Sequence, residues 1–178
     1  MSKNLLQFPA SVSISPVARD SLLQLLSMAK KEIWIGSQYL SNSLVNQKLL
    51  ELAKTKKIKI NLLLSDFCYF GRPSESKVKQ LMAQYSAFSE AGISTKLFNK
   101  KLKIMGKPAY YHAKVIVIDR KLAWMGSINN SIDSFEMNRE FGIFFSGKSD
   151  IKFLQKSIEQ DFNDPLVQTW DENIKCAM

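Results

Sequence analysis

The side chains best suited to chemistry begin at His112, the one histidine in 178 residues. His112 and Lys114 stand two positions apart in a predicted strand that continues through the apolar run Val115–Ile118. Side chains alternate across a strand, so an imidazole and an ammonium group at this spacing are predicted to project side by side. A lysine within a buried strand is costly unless it meets an anion or a carboxylate. The pair therefore favours a functional site over a structural histidine.

Two more strands are predicted to bring polar side chains to the same end of a sheet. The apolar run Leu122–Met125 is followed by glycine, hydroxyl and amide residues. The run Phe141–Phe145 is preceded by an amide and a carboxylate. Together with the first strand, this set is suited to handling a phosphate. The additional residues are Gly126, Ser127, Asn129, Asn138 and Glu140.

The spacing of these residues resembles the HKD signature of the phospholipase D superfamily. The order is His-x-Lys-x4-Asp, with Gly-Ser-x-Asn beginning seven residues after the aspartate. Asn138 and Glu140 fall where the small single-motif nucleases of that superfamily carry an Asn and a Glu. In length and element order the resemblance covers roughly residues 15–164, but only residues 112–140 are diagnostic. The signature residues are His112, Lys114, Asp119, Gly126, Ser127 and Asn129.

The resemblance implies phosphodiester cleavage by covalent catalysis. Neutral imidazole is a nucleophile near neutral pH, so His112 would attack phosphorus and form a phosphohistidine. Glu140 would orient the imidazole through a ring N–H. Asp119 has two open interpretations, a direct catalytic role or the end of the strand at an Asp-Arg-Lys turn. The groups expected to bind the phosphate oxygens are Lys114, Ser127, Asn129 and Asn138.

The leaving oxygen needs an acid, which two-motif relatives take from a second histidine. Since His112 is the one histidine, the resemblance implies a homodimer in which two copies of His112 meet at a twofold axis. The alternative is that the chain is half of a split two-motif enzyme with a different partner. A non-catalytic, phosphate-binding subunit is the other reading.

Neither a metal nor a cofactor is expected. The sequence lacks a second histidine, a paired cysteine motif and an Asp-x-Asp cluster, so the ordinary metal ligand sets are missing. Cys68 and Cys176 lie far apart and indicate no disulfide framework. Lysine and amide groups would supply the electrostatic stabilisation that a divalent ion provides in other phosphodiesterases.

A net charge of +9 and a pI near 9.5 favour a polyanionic partner, either nucleic acid or an acidic membrane surface. A lysine-rich segment that leads into the catalytic strand is expected to track a nucleic-acid backbone, and a solvated loop is the alternative. The resemblance favours an endonuclease of low sequence specificity. The lysines are Lys96, Lys100, Lys101, Lys103 and Lys107.

Aromatic residues near the predicted site keep a lipid substrate open. Such side chains can enter a membrane interface while basic residues bind anionic headgroups, which would suit a phospholipase D-type hydrolase or transferase. More often such residues belong to the core or a dimer interface, and they could also stack on single-stranded bases. The residues are Phe67, Tyr69, Phe70, Tyr110 and Tyr111.

The whole pattern predicts an α/β fold with a mixed β-sheet flanked by helices. Helices are expected from Pro16 to about Lys31, over 43–56, from a Ser74 cap to Gly92, and over 150–162 after a Ser149 cap. Strands are expected over 32–37, 58–64 and 93–98, before the three strands of the site. We expect an N-terminal segment (1–14), one catalytic domain (15–164) and a tail packed on it (165–178).

The first residues show no apolar core typical of a signal peptide, and no run is long enough to span a bilayer. A cytoplasmic location is therefore expected, with export by an unread signal left open.

Overall fold

The computed structural model describes residues 16–41, 43–66, 74–98, 103–104, 107–108, 110–129, 131, 134, 138, 140 and 142–171. Helices and strands alternate in its first half, and antiparallel strands dominate its second half. The elements in chain order are α1 (Pro16–Ser27), β1 (Glu32–Ser37), α2 (Ser43–Lys56), β2 (Lys59–Ser65), α3 (Glu75–Glu90), β3 (Ser94–Phe98), β4 (Lys103–Ile104), β5 (Lys107–Pro108), β6 (Val115–Ile118), β7 (Leu122–Gly126), β8 (Gly142–Phe145), α4 (Lys148–Phe162) and β9 (Gln168–Thr169).

Seven of these strands form one mixed sheet in the order β8-β7-β6-β1-β2-β3-β9. β1, β2 and β3 are parallel, and the crossovers that parallel pairing requires are supplied by α2 and α3. β6, β7 and β8 continue the sheet antiparallel from β1, while β9 pairs antiparallel with β3. β4 and β5 pair separately. The predicted α/β class with a mixed, helix-flanked sheet is confirmed.

Helices cover both faces of the sheet, which explains why its central strands are apolar on both sides. One face packs against α1, α2 and α3 through side chains such as Ile35 and Leu62, both fully buried. The other face packs against α4, where the rings of Trp34 and Phe162 meet edge-on with centroids 5.3 Å apart. Among the described residues, every helix falls short of the length and apolar character needed to cross a bilayer.

Local capping signals set the ends of α3. The Ser74 hydroxyl accepts a hydrogen bond from the Lys77 backbone N–H at 3.3 Å, as expected for an N-cap. Gly92 follows the helix with a φ of 77°, the left-handed conformation that glycine adopts without steric cost. Both predicted ends of this helix are confirmed.

Two other predicted helix ends are wrong. α1 ends at Ser27, so Lys30 and Lys31 do not lie in its last turn. α4 begins at Lys148, with Gly147 and not Ser149 at the N-cap. Gly147 has extended backbone angles and makes no side-chain cap, so the start of this helix lacks the side-chain signal on which the sequence prediction relied.

The predicted N-terminal segment, 1–14, lies outside the described residues, and so does the end of the tail, 172–178. The described part of the tail joins the sheet as β9, where Gln168 pairs with Leu97. Trp170 then packs edge-on against the ring of Tyr85, with centroids 6.0 Å apart. The domain boundaries themselves stay a prediction.

β6 and β7 are joined by a tight turn at the end of the sheet away from His112. Asp119 and Arg120 both have left-handed backbone angles, with φ of 52° and 55°. The Lys121 N–H donates to the Ile118 carbonyl at 2.9 Å, which closes the turn. Turns of this hand match the right-handed twist of paired strands.

The Asp119 carboxylate anchors this turn to the segment between α1 and β1. It accepts backbone N–H groups from Lys30 and Lys31 at 2.8 Å each and from Glu32 at 2.9 Å. Partial burial alone would raise the pKa of this carboxyl, but the N–H groups of Glu32, Lys30 and Lys31 hold the pKa below its ordinary value. These three hydrogen bonds hold the end of β6 next to the start of β1 and so support the register between the two strands.

We expect Asp119→Ala to lower the free energy of unfolding by about 2–3 kcal/mol, because three N–H groups lose their acceptor. Asp119→Asn is the matched control, since it keeps one acceptor oxygen and tolerates a positive φ. The folded-state pKa is lowered, so this stabilisation exists above the unfolded pKa and is lost as pH falls through the folded pKa. Urea unfolding should therefore show a loss in acid that the Asn variant lacks. Equal stability of wild type and Asp119→Ala would contradict the anchor.

Candidate active site

The sheet topology gathers the polar residues at one edge. β6 is antiparallel to β1, so the residues that precede β6 lie beside the carboxyl ends of β1, β2 and β3. β7 ends and β8 begins at this same edge, where Gly126 pairs with Gly142. In open α/β sheets, ligands bind outside the carboxyl ends of the parallel strands. The predicted meeting of three strands at one edge is what the structure shows.

His112 and Lys114 lie just before β6, not inside it, because the paired strand begins at Val115. His112 is exposed, whereas Lys114 is buried, with 5% of its surface accessible. The Lys114 ammonium donates to the backbone carbonyl of His112 at 2.6 Å. The Lys114 ammonium is therefore held close to the His112 backbone. That the two side chains project side by side stays a prediction.

The electrostatic surroundings keep the His112 imidazole neutral. Desolvation by burial, followed by the positive charge of Lys114, lowers the pKa of His112 from its ordinary value of 6.5. Within the described part of the chain the His112 ring makes no hydrogen bond, and Tyr110 packs edge-on against it with centroids 5.6 Å apart. An exposed, neutral imidazole has a nitrogen lone pair available for attack on phosphorus.

Glu140 links the third strand to the same site. Its carboxylate accepts hydrogen bonds from the Ser127 hydroxyl and from the Asn138 amide, the latter at 3.3 Å. Burial lowers the pKa of Lys114, and the negative charge of Glu140 raises it in opposition. Among the described residues, Glu140 therefore accepts hydrogen bonds from Ser127 and Asn138 and places a negative charge near Lys114. The predicted hydrogen bond between Glu140 and the His112 ring is not formed, because Glu140 faces the end of β7.

Asn129 is held in place by two serines that the sequence prediction did not include. The Asn129 N–H donates to the Ser134 hydroxyl at 3.2 Å, and Ser131 and Ser134 bond to each other through both hydroxyls and a backbone N–H. Both serines are buried. The Asn129 Oδ1 is also buried and has no hydrogen-bond partner among the described residues. The Ser-x-x-Ser spacing, which is typical of side-chain capping, was the available signal for this cluster.

The segment before His112 is fixed from below by Tyr111. The Ser65 hydroxyl, at the end of β2, donates to the Tyr111 carbonyl at 2.8 Å. The Tyr111 ring lies over Gly36 of β1, where a Cβ would come within 2.5 Å of the tyrosine oxygen. The ring also packs against Phe98, with centroids 5.9 Å apart. Tyr111 is therefore buried, which agrees with the core alternative for this residue and not with an exposed place at the rim of the site.

Two predicted groups do not gather at the site. Asp119 lies beyond the opposite end of β6, so the complete strand separates it from His112. Lys96 donates to the carbonyl of Phe162 at 2.8 Å, and its ammonium lies 4.6 Å from the centre of the same ring. The Lys96 ammonium therefore binds the carboxyl end of α4 and does not belong to an open nucleic-acid surface.

The rest of the predicted substrate surface lies partly outside the described residues. Lys100 and Lys101 lie outside the described residues, as do Phe67, Tyr69 and Phe70. Lys103 and Lys107 stand in β4 and β5, where Lys103 pairs with Pro108 and Ile104 with Lys107. Tyr110 is the described aromatic residue that stays exposed next to His112. Of the described residues, no three His, Cys, Asp or Glu side chains approach closely enough to hold a metal ion.

The lowered pKa of His112 can be measured directly, because a single histidine gives unambiguous imidazole resonances. We expect its NMR titration midpoint below 6.5, and we expect Lys114→Met to move the midpoint upward by removing a positive charge. Lys121→Met is the matched control, since Lys121 is exposed in the β6–β7 turn at the far end of the sheet. A wild-type midpoint at or above the ordinary value would contradict the proposed electrostatics.

Comparisons with known proteins agree with this fold. A family model described as "Cardiolipin synthase, PLD-like domain" matches residues 22–163. Cardiolipin synthase 1 of Bacillus anthracis is 26% identical over 155 residues, which cover 86% of this chain and 28% of that protein. The chain therefore spans little more than a quarter of the length of this curated relative.

Solved structures show the same fold. NucT from Helicobacter pylori matches with a TM-score of 0.72 and 20% identity, covering 94% of this chain and 98% of that one. Nuc from Salmonella typhimurium, a phospholipase D family member, matches with a TM-score of 0.67 and 15% identity, covering 94% and 96%. Because the family model extends over most of the chain and the fold agrees, the chain belongs to the phospholipase D-like family.

Proposed function

We propose that the protein is a metal-independent phosphodiesterase that acts through a phosphohistidine on His112. The observation that carries the proposal is the exposed, neutral imidazole beside a buried ammonium group, at the sheet edge where Ser127 and Glu140 also meet. Neutral imidazole is nucleophilic, while Lys114 can stabilise the charge that grows on the phosphate oxygens. Membership of the phospholipase D-like family supports the same reaction type.

The reaction has two displacements. In the first, a nitrogen of His112 forms a bond to phosphorus and the bond to the leaving oxygen breaks, with the electron pair remaining on oxygen and a proton arriving from an acid. In the second, water or another alcohol attacks phosphorus, loses its proton to that same group, and the nitrogen–phosphorus bond breaks to release His112. Ser127 and Asn138, which bond to Glu140, and Asn129, which follows β7, are further candidates to contact the phosphate.

We propose that the acid is His112 of a second copy. The chain has one histidine, and two displacements on phosphorus need both a nucleophile and an acid with a pKa near neutrality. A twofold axis at the exposed side of His112 would bring the two copies of this residue to one cleft. A different partner chain with its own motif is the alternative.

Nucleic acid is our first candidate substrate, and an endonuclease of low sequence specificity is the corresponding activity. A net charge of +9 favours a polyanion, although Lys96 no longer contributes to the predicted surface. The second candidate is an anionic phospholipid, which is favoured by the sequence similarity to cardiolipin synthases. Both substrates present a phosphodiester to the same edge of the sheet.

We expect purified protein to cleave a phosphodiester in the presence of EDTA, and His112→Ala to reduce the rate by more than about 10³-fold because the nucleophile is lost. Single- and double-stranded DNA, RNA, and vesicles containing anionic phospholipid are the substrates to compare. Lys121→Met is the control for folding and charge. Trapping with labelled substrate should leave an acid-labile, alkali-stable phosphoryl group on the wild type and none on the variant. Retained turnover in His112→Ala would refute the nucleophile, and cleavage of vesicles alone would reject the nuclease.

The shared site predicts how activity depends on subunit composition. Wild-type and His112→Ala chains are mixed, unfolded and refolded together. If each site needs two copies of His112, activity should fall with the square of the wild-type fraction, because mixed dimers are inactive. Refolding with Lys121→Met should show no such loss. A linear decline, or a monomer in sedimentation that remains active, would exclude the homodimeric site.

A further inference from the structure

A cleft of about 360 Å³ opens beside His112 on the α4 side of the sheet. One wall is formed by the segment from Tyr111 to Val115, and the end of β7 adjoins it. The opposite wall is one face of α4, with Leu154, Ser157, Ile158 and Asp161. The proposed phosphohistidine chemistry involves His112 and Lys114 but gives no role to the α4 wall of this cleft.

Asp161 is the charged group on the opposite wall. It lies half-buried, and desolvation, together with the negative charge of Asp164, raises the pKa of its carboxyl. Its carboxylate makes no hydrogen bond or ion pair with any other described residue. A partly desolvated carboxylate without a donor is unfavourable in the free protein. A ligand that donates hydrogen bonds would relieve this cost.

Two hydroxyl groups lie along the same cleft. Ser157 is one helical turn before Asp161, and positions four apart share a face of a helix. Tyr111 reaches the cleft from the sheet side, and its pKa is raised first by burial and then by the negative charge of Asp161, which places the two groups near each other. The cleft therefore carries one acceptor and two groups that can donate or accept.

The remaining wall is apolar. Val115, Leu154 and Ile158 are aliphatic, and Met125 of β7 is 42% exposed at the cleft. Carbon atoms of a ligand can pack on these side chains while its hydroxyl groups reach Asp161, Ser157 and Tyr111. A second phosphate is disfavoured at this wall, since the Asp161 carboxylate would repel it.

We propose that the cleft is a subsite for a hydroxyl-bearing group esterified to the reacting phosphate, with Asp161 as its specificity-determining acceptor. The inference rests on the proposed phosphodiesterase function. The ligand chemistry is a neutral polyol unit, which a glycerol group or a ribose would equally supply. On one side of the cleft the Lys114 ammonium would bind the phosphate. On the other side the Asp161 carboxylate would accept hydrogen bonds from the hydroxyl groups.

The test compares three p-nitrophenyl phosphodiesters that share a leaving group and a charge. Their second substituent is methyl, glyceryl or the 5′-carbon of uridine. We expect wild type to show a kcat/KM about tenfold higher for at least one hydroxylated ester than for the methyl ester, the scale of a hydrogen bond to a charged acceptor. Asp161→Asn should remove most of that ratio, and Ser157→Ala should lower it by a smaller factor. Which hydroxylated ester is preferred identifies the source of the polyol.

Asp164→Asn is the matched control, because it removes the same charge just beyond the end of α4. Asparagine keeps an oxygen that can accept the Leu166 N–H, now bound at 2.8 Å, and Asp164 does not line the cleft. We expect this variant to keep the wild-type ratio. Equal kcat/KM for all three esters in the wild type, or the same ratio in Asp161→Asn as in the wild type, would overturn the subsite. Absence of p-nitrophenol release from every ester would instead refute the phosphodiesterase itself.

Discussion

The burial of one ammonium group organises this site. Removing Lys114 from water is costly, and the cost is offset by the His112 carbonyl at 2.6 Å and by the negative charge of Glu140. Glu140 in turn receives hydrogen bonds from Ser127 and Asn138. Desolvation, followed by this same buried charge, lowers the pKa of His112. The stabilised lysine and the lowered pKa of His112 thus belong to one electrostatic arrangement, which suits the proposed nucleophilic role of His112.

This arrangement depends on strand register. A shift of β6 by one residue would move Lys114 to the other face of the sheet. The register is fixed at the far end of the strand, where the Asp119 carboxylate binds three backbone N–H groups next to β1. One signature therefore serves two places: His112 and Lys114 lie at the sheet edge where we propose the chemistry, and Asp119 anchors the other end of the strand. The alternative in which Asp119 ends the strand at a turn agrees with its contacts.

The sequence was sufficient for the features that depend on nearby residues. Apolar periodicity predicted the order of helices and strands, and the spacing of polar residues predicted which strand ends meet. The sequence-based prediction was wrong where residues far apart in the chain bind each other. The Lys30 and Lys31 N–H groups bind Asp119 across 89 and 88 positions, and Lys96 binds the end of α4 across 66. The partners of Glu140 and the cleft wall at Asp161 likewise exist only once β7, β8 and α4 have packed.

The division of the cleft also explains how one edge can suit different substrates. The proposed phosphorus chemistry would require only His112 and Lys114 at the ends of the strands, whatever group the phosphate carries. On this proposal, discrimination comes from the walls of the cleft, where α4 contributes the carboxylate of Asp161. Sequence similarity to cardiolipin synthases and structural similarity to NucT are compatible on this proposal, because a common fold would leave the choice of substrate to the walls around the site. We therefore expect substrate choice to depend on the few α4 side chains that line the cleft.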